Sequence, residues 1–124
     1  MMTPIRIQRK RTRGWKMPQG VVYVGRPSKW GNPARIFEYP FGFQVERGTH
    51  VLFKTDDKHF AIEQSINCFR DILDAMSQSE LQEYLEPLRG KNLACWCKLV
   101  DENGNHVPCH ADVLLELCRD GAKE

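Results

Sequence analysis

Residues 92–97 read Asn-Leu-Ala-Cys-Trp-Cys, and after a polar loop residues 109–114 read Cys-His-Ala-Asp-Val-Leu. The first segment predicts a strand that ends in cysteines, and the second predicts the first turn of a helix. In open α/β folds, functional sites form at the carboxyl ends of strands, near helix N-termini. This stretch therefore predicts an α/β fold whose cysteines lie together at one end of a sheet.

The rest of the chain predicts an alternation of strands and helices. Strands are expected at 4–10 and 21–24, a hairpin at 41–54, and helices at about 58–76 and 77–85. We expect an α/β fold consisting of a single small domain with a central, mostly parallel sheet flanked by helices. The predicted divisions are a basic N-terminal strand and loop (1–20), the α/β domain with the Cys/His cluster (21–119) and a frayed tail (120–124).

Composition favours a cytoplasmic protein. The chain has 124 residues, of which 41% are hydrophobic, which suffices for one modest core. No apolar run is long enough to span a bilayer, and no apolar segment of a secretory signal follows the basic N-terminus. The five cysteines are an odd number, which is atypical of a secreted disulfide framework. We expect a reducing compartment and no membrane contact.

The basic side chains are concentrated at the N-terminus. The first 16 residues contain no acidic side chain but six basic ones: Arg6, Arg9, Lys10, Arg11, Arg13 and Lys16. Alternation of Ile5 and Ile7 with Arg6 predicts a short strand with one polar face. One interpretation is a basic arm that contacts the phosphates of a nucleic acid. The other is a solvated edge strand whose charges prevent aggregation.

The cysteines and the adjacent histidine form the densest group of metal-binding side chains. Cys95 and Cys97, two residues apart on a strand, point to the same side, and the loop 98–108 can bring Cys109 and His110 to them. Thiolates and imidazole suit Zn²⁺, and four such ligands make a tetrahedral site. If only three bind, the open position accepts water and the site can be catalytic. Trp96, between the cysteines, is expected to face the opposite side, in the core.

Two other interpretations of this group remain open. Cys109 beside His110 at a helix N-terminus can be a reactive thiolate nucleophile without metal. Alternatively, Cys95 and its neighbours are simply buried core residues. Asp112, in the first helical turn, can transfer protons or orient His110, or it can only favour the helix N-terminus by its charge.

A second motif, residues 25–33, reads Gly-Arg-Pro-Ser-Lys-Trp-Gly-Asn-Pro and predicts a loop after the strand at 21–24. Arg26 and Lys29 can bind phosphate, whereas Ser28 and Asn32 can hydrogen-bond a base or sugar. Trp30 can stack on a base. The alternative is a rigid loop in which Trp30 fills the core. If the preceding strand runs parallel to residues 92–96, this loop and the cysteines meet at one edge.

Three segments resemble a known family. Residues 22–33 resemble the N-terminal signature, and residues 88–97 and 109–117 the C-terminal signature, of domain of unknown function 4326. The resemblance implies a small protein of a phage or a prokaryote. The loop 100–107 is longer than the short proline-rich spacer of that family. The C-terminal pattern is also similar to that of domain of unknown function 488, although Ala111 stands where that family has arginine.

The leading functional hypothesis is a zinc-binding α/β protein that acts on a nucleotide, nucleobase or nucleic acid. Cys95, Cys97, Cys109 and His110 would hold the zinc. Arg26, Ser28, Lys29 and Asn32 would bind substrate, and Asp112 and Cys109 are the catalytic candidates. Two alternatives stay open: a non-catalytic nucleic-acid-binding module with structural zinc, and a metal-free thiol enzyme.

Overall fold

The computed structural model describes residues 3–121, with side chains as far as Arg119. Between these limits there are six strands, three α-helices and one 3-10 turn. The elements are β1 (Arg6–Gln8), β2 (Val22–Tyr23), β3 (Ala34–Tyr39), β4 (Gly42–Arg47), β5 (His50–Thr55), α1 (Lys58–Asp74), α2 (Gln78–Leu85), the 3-10 turn (Glu86–Leu88), β6 (Leu93–Cys95) and α3 (His110–Gly121). Most of the predicted frayed tail, residues 122–124, lies outside the described residues.

The chain forms two compact units. The first unit comprises the described residues up to Gly31 and from Gln78 onward, and the second unit is Asn32–Ser77. The mixed α/β class is therefore confirmed, but the strands form two sheets of three strands each within residues 3–121. The single central sheet flanked by helices is not what the structure shows. The physical reason is the short turns between β3, β4 and β5, which permit only antiparallel pairing.

The sheet of the first unit is parallel, with strand order β1-β6-β2. Its central strand, β6, is buried throughout, and Val22 and Tyr23 pair with Leu93 and Ala94 in parallel register. Helix α3 packs against this sheet and buries Leu114 completely. A central parallel strand covered on both faces needs a continuous apolar sequence, which Leu93-Ala94-Cys95 provides.

The second unit is an antiparallel meander, β3-β4-β5, whose inner face packs on α1. The predicted hairpin is confirmed, with its turn at Gly48 and Thr49. Strand β3 was not predicted. Asp57 caps α1 by accepting hydrogen bonds from the backbone N–H groups of His59 and Phe60. Cys68 packs beside the core of this unit.

No helix between residues 3 and 121 combines the length and the apolar character that crossing a membrane requires.

Leu114 provides a test of the core of the first unit. We expect Leu114→Ala to lower the free energy of unfolding by about 2–5 kcal/mol, because a fully buried leucine leaves a cavity. Urea unfolding followed by circular dichroism measures this. Leu52→Ala is the control, since Leu52 is 46% exposed, and it should cost less than about 1 kcal/mol. Equal losses in the two variants would contradict this account of the core.

Candidate metal centre

The carboxyl ends of β1, β6 and β2 lie at one edge of the first unit's sheet, because all three strands are parallel. The pairing continues beyond the strands: the N–H of Arg9 donates to the carbonyl of Cys95 (2.7 Å), and that of Val24 to Ala94 (2.9 Å). The predicted meeting of the 25–33 loop with the cysteines at one sheet edge rests on this parallel pairing, which the structure confirms.

Three cysteine sulfurs come together at this edge. The Sγ atoms of Cys95, Cys97 and Cys109 all lie within 4.8 Å of one another, and those of Cys95 and Cys109 are 3.2 Å apart. A tetrahedral zinc with Zn–S bonds of about 2.3 Å places its sulfurs about 3.8 Å apart. Cys95 and Cys109 are buried, whereas Cys97 is exposed. This cluster can hold a metal ion that is open to solvent on the Cys97 side.

Negative charge is stabilised on the exposed member of the cluster. Hydrogen bonds from Cys109 and Cys95, together with the charges of Arg6 and Arg26, lower the pKa of Cys97 to about 3. The hydrogen bonds to Cys109 and Cys97, and burial, raise the pKa of Cys95. The thiolate is the form that binds metals, so the cluster contains one such ligand even before the other thiols lose their protons.

His110 lies beside the cluster but outside the set within 4.8 Å. Its Nε2 is 2.8 Å from the carbonyl oxygen of Val24, which can only accept, so Nε2 carries a proton and donates. Its Nδ1 is 3.4 Å from Sγ of Cys109. A histidine held by a backbone carbonyl in this way typically orients a metal site or ligates through its other nitrogen.

Arg6 holds the loop that separates the two cysteine segments. Its side chain is buried, and Nη2 donates to the carbonyls of Lys98 (3.2 Å) and Val107 (2.7 Å). Because these carbonyls belong to the two arms of the loop, one guanidinium clamps them together. The backbone N–H of Val107 also donates to Leu99 (3.0 Å), which closes the base of the loop. Cys97 and Cys109, at its two ends, are brought together by these contacts.

Asp112 is the acidic partner in this clamp. Its Oδ2 accepts from Nη1 of Arg6 (3.1 Å), from the backbone N–H of Cys109 (3.0 Å), and lies 3.0 Å from Nε2 of His106. The bond to Cys109 is half of a capping box for α3. The carboxylate therefore fixes Cys109 and the helix start, while its side chain stays 32% exposed.

The polar face predicted for the strand at 4–10 is wrong. Arg6 is 7% exposed, whereas Ile5 is 56% exposed. An arginine can replace an apolar residue at a buried strand position when carbonyls and a carboxylate surround its guanidinium. The sequence reasoning missed Arg6 as a site residue. The one sequence feature that sets Arg6 apart is its position: it is the first positively charged residue of the predicted strand and lies two residues before Gln8.

The loop after β2 is held in shape by aromatic side chains. The hydroxyl of Tyr23 donates to the carbonyl of Arg26 (2.6 Å), and that of Tyr84 to Lys29 (2.9 Å). Nε1 of Trp30 donates to the carbonyl of Tyr84 (2.9 Å). A Cβ on Gly31 would lie 3.1 Å from Cα of Arg26, so the loop closes tightly on itself. The Arg26 side chain projects from a rigid frame.

The four predicted substrate-binding residues have different surroundings. Arg26 is exposed and its charge acts on Cys97. Nζ of Lys29 lies 4.9 Å from the centre of the Trp30 ring. Oγ of Ser28 is buried with no hydrogen-bond partner among the described residues. Asn32 belongs to the second unit. Its side-chain amide donates hydrogen bonds to Ser65 and accepts one from the backbone N–H of Ala34.

Trp96 does not occupy the core. It is 39% exposed, and the guanidinium carbons of Arg9 and Arg11 lie 4.9 and 4.8 Å from its ring centre. The expectation of a buried Trp96 is wrong because the strand ends at Cys95, so its alternation of faces does not continue.

The clamp predicts a specific effect of Arg6 on metal binding. We expect Arg6→Lys to weaken metal binding about 10- to 100-fold, because an ammonium cannot reach both loop arms and Asp112 at once. Competition with a chromophoric zinc chelator measures the affinity, and circular dichroism verifies folding. Arg13→Lys, at an exposed position of the same segment, is the matched control. If the two variants bind zinc equally, Arg6 does not position the cluster.

Comparison with known proteins gives one result. Residues 7–120 match the model of a family described as a domain of unknown function, DUF4326. The matched range includes the three clustered cysteines and the Arg26 loop. No curated protein and no solved structure gave a significant match. Because the match extends over most of the chain, as the three resembling segments predict, the chain belongs to the DUF4326 family.

Proposed function

We propose that this protein binds zinc through Cys95, Cys97 and Cys109 and acts at that centre on a nucleotide, nucleobase or nucleic acid. The observation that carries the proposal is the convergence of the three Sγ atoms within 4.8 Å at the carboxyl edge of a parallel sheet. Ligands of α/β proteins bind at such edges. The proposal places the metal and the substrate on the same side of the first unit.

Zinc is the metal that best suits this set of ligands. Three thiolates are soft donors, and zinc readily adopts a tetrahedral arrangement of sulfur and nitrogen. Three protein ligands leave a fourth position, which water or substrate occupies in catalytic zinc sites. The exposed Cys97 marks the side from which a ligand would enter. Three thiols also stay reduced only in a reducing compartment, so we place the protein in the cytoplasm.

Phosphate recognition is assigned to Arg26. Its planar guanidinium can form two parallel hydrogen bonds to a phosphate, and its charge already acts on Cys97 at the cluster. The buried Oγ of Ser28 gives this loop a further donor that no described residue uses. Asp112, with a side chain 32% exposed, remains the candidate for proton transfer, and Lys29 adds positive charge.

A metal-free thiol enzyme is the second candidate. It is favoured by the 3.4 Å approach of Nδ1 of His110 to Sγ of Cys109 at the start of α3. A histidine and a helix N-terminus both stabilise a cysteine thiolate, which is then a nucleophile. Metal content separates the two candidates directly.

The zinc proposal predicts about one equivalent of zinc per chain after purification without chelator. Cys97→Ser and Cys109→Ser should each bind zinc at least tenfold more weakly, because each removes a thiolate ligand. Plasma mass spectrometry and chelator competition measure content and affinity. Cys68→Ser is the control, because Cys68 lies in the second unit. Less than about 0.2 equivalents in a folded protein would exclude the zinc centre and favour the thiol enzyme.

The phosphate proposal predicts that Arg26→Gln weakens binding of a nucleoside monophosphate about tenfold or more, since a charge-assisted hydrogen-bond pair is lost. Isothermal titration calorimetry with AMP, CMP, GMP and UMP measures this. Lys91→Gln removes an equal charge at an exposed position just before β6, at the opposite edge of the sheet. Equal effects of the two variants would show that only net charge matters.

A further inference from the structure

Two arginines of the N-terminal segment are stacked on aromatic rings. The guanidinium carbon of Arg9 lies 4.8 Å from the ring centre of Tyr23 and 4.9 Å from that of Trp96. The guanidinium carbon of Arg11 lies 4.8 Å from the ring centre of Trp96. Such cation–π contacts restrict a long, flexible side chain to a few orientations. The segment after β1 thus presents two oriented guanidinium groups instead of two mobile ones.

Within residues 3–119, no side chain or carbonyl uses the hydrogen-bond donors of these two groups. Neither guanidinium has a carboxylate or carbonyl acceptor among the residues that the structure describes, in contrast to Arg6, whose donors serve Asp112 and the loop carbonyls. Stacking uses the flat faces of a guanidinium and leaves the N–H groups at its edge available for hydrogen bonds. These donors suit the oxygens of a phosphate, which accept them in pairs.

The two groups lie at the edge of the sheet that carries the metal cluster. Arg9 directly follows the pairing of β1 with β6, and its N–H is bonded to the carbonyl of Cys95. Trp96, on which both arginines stack, lies between Cys95 and Cys97 in sequence. The first acidic residue of the sequence is Glu38, so no residue near Arg9 and Arg11 in sequence offsets their positive charge. Arg9, Arg11 and Arg26 therefore all lie near the residues of the cluster segment 95–97.

From this arrangement we infer that Arg9 and Arg11 bind the phosphodiester backbone of a nucleic acid. The ligand at the sheet edge that carries the three cysteines, here called the metal edge, is then part of a nucleic-acid strand rather than a free nucleotide. The inference rests on the proposed function and specifies its substrate class. One phosphate is taken by Arg26 at the cluster, and the phosphates that follow it along the strand are taken by the stacked arginines. Backbone contacts of this kind give affinity without base specificity.

Binding of fluorescent 12-nucleotide single-stranded DNA, single-stranded RNA and a DNA duplex, measured by anisotropy at several salt concentrations, tests this inference. Arg9→Gln/Arg11→Gln should bind at least tenfold more weakly than the natural sequence. The slope of log affinity against log salt should decrease by about 1.4 on single strands, which corresponds to two phosphate contacts. Comparing the three oligonucleotides shows whether the protein binds DNA or RNA, and whether it binds single strands or duplexes.

Lys10→Gln/Arg13→Gln is the matched control, because it removes two charges from exposed positions of the same segment. It should change affinity less than threefold. Arg11→Gln alone is a second variant for the case that Arg9→Gln disturbs folding, since Arg11 is exposed. Arg11→Lys should keep the salt slope but lose affinity, because the charge remains and the planar donor group is lost.

Three results would overturn the inference: equal losses in both double variants, oligonucleotide affinity no higher than that of AMP, or binding to vesicles of 30% phosphatidylserine without binding to oligonucleotides. Zinc content and AMP binding are measured on the same samples. Zinc and AMP binding without a preference for oligonucleotides would contradict this inference alone. Oligonucleotide binding that depends on Arg9 and Arg11 in a zinc-free protein would contradict the proposed function instead.

Discussion

The burial of one positive charge, the guanidinium of Arg6, is the constraint on which the rest of the site depends. A charge removed from water is stable only when hydrogen-bond acceptors and an opposite charge replace the water. Here the acceptors are carbonyls from both arms of the loop 98–108, and the opposite charge is Asp112. The loop must therefore close on Arg6, and its closure sets the separation of Cys97 and Cys109.

The same constraint extends into the helix and the neighbouring strand. Asp112 accepts the N–H of Cys109, which fixes the first turn of α3. That turn directs His110 to the carbonyl of Val24, where the chain leaves β2 for the Arg26 loop. A continuous path of hydrogen bonds thus joins β1, the loop, α3 and β2. Each of these elements supplies one part of the metal edge, so none of the parts is positioned independently.

The local features of the site could be predicted from sequence, but its supporting contacts could not. Cys95 and Cys97 are two residues apart in sequence, so they necessarily lie close together, although the strand itself ends at Cys95. The parallel pairing of β2 with β6 follows from the alternation of strands with a helical crossover. The role of Arg6 depends on carbonyls about 90 residues later in the chain, and no local pattern reveals them. Strand β3, and with it the separate sheet that it forms with the predicted hairpin, was missed for a similar reason: strand pairing is decided by partners, whereas intrinsic strand preference is weak.

The strand order β1-β6-β2 has a consequence for the order in which the protein can fold during synthesis. The first and second strands of this sheet are separated by β6, which leaves the ribosome only after the whole of the second unit. Until then β1 and β2 have no shared neighbour, whereas Asn32–Ser77 already holds all of its own sheet and helix. Contacts between distant parts of a chain form slowly, because long loops must close first. The metal edge is therefore assembled after the second unit, and the three thiols can meet only once Cys109 has been synthesised.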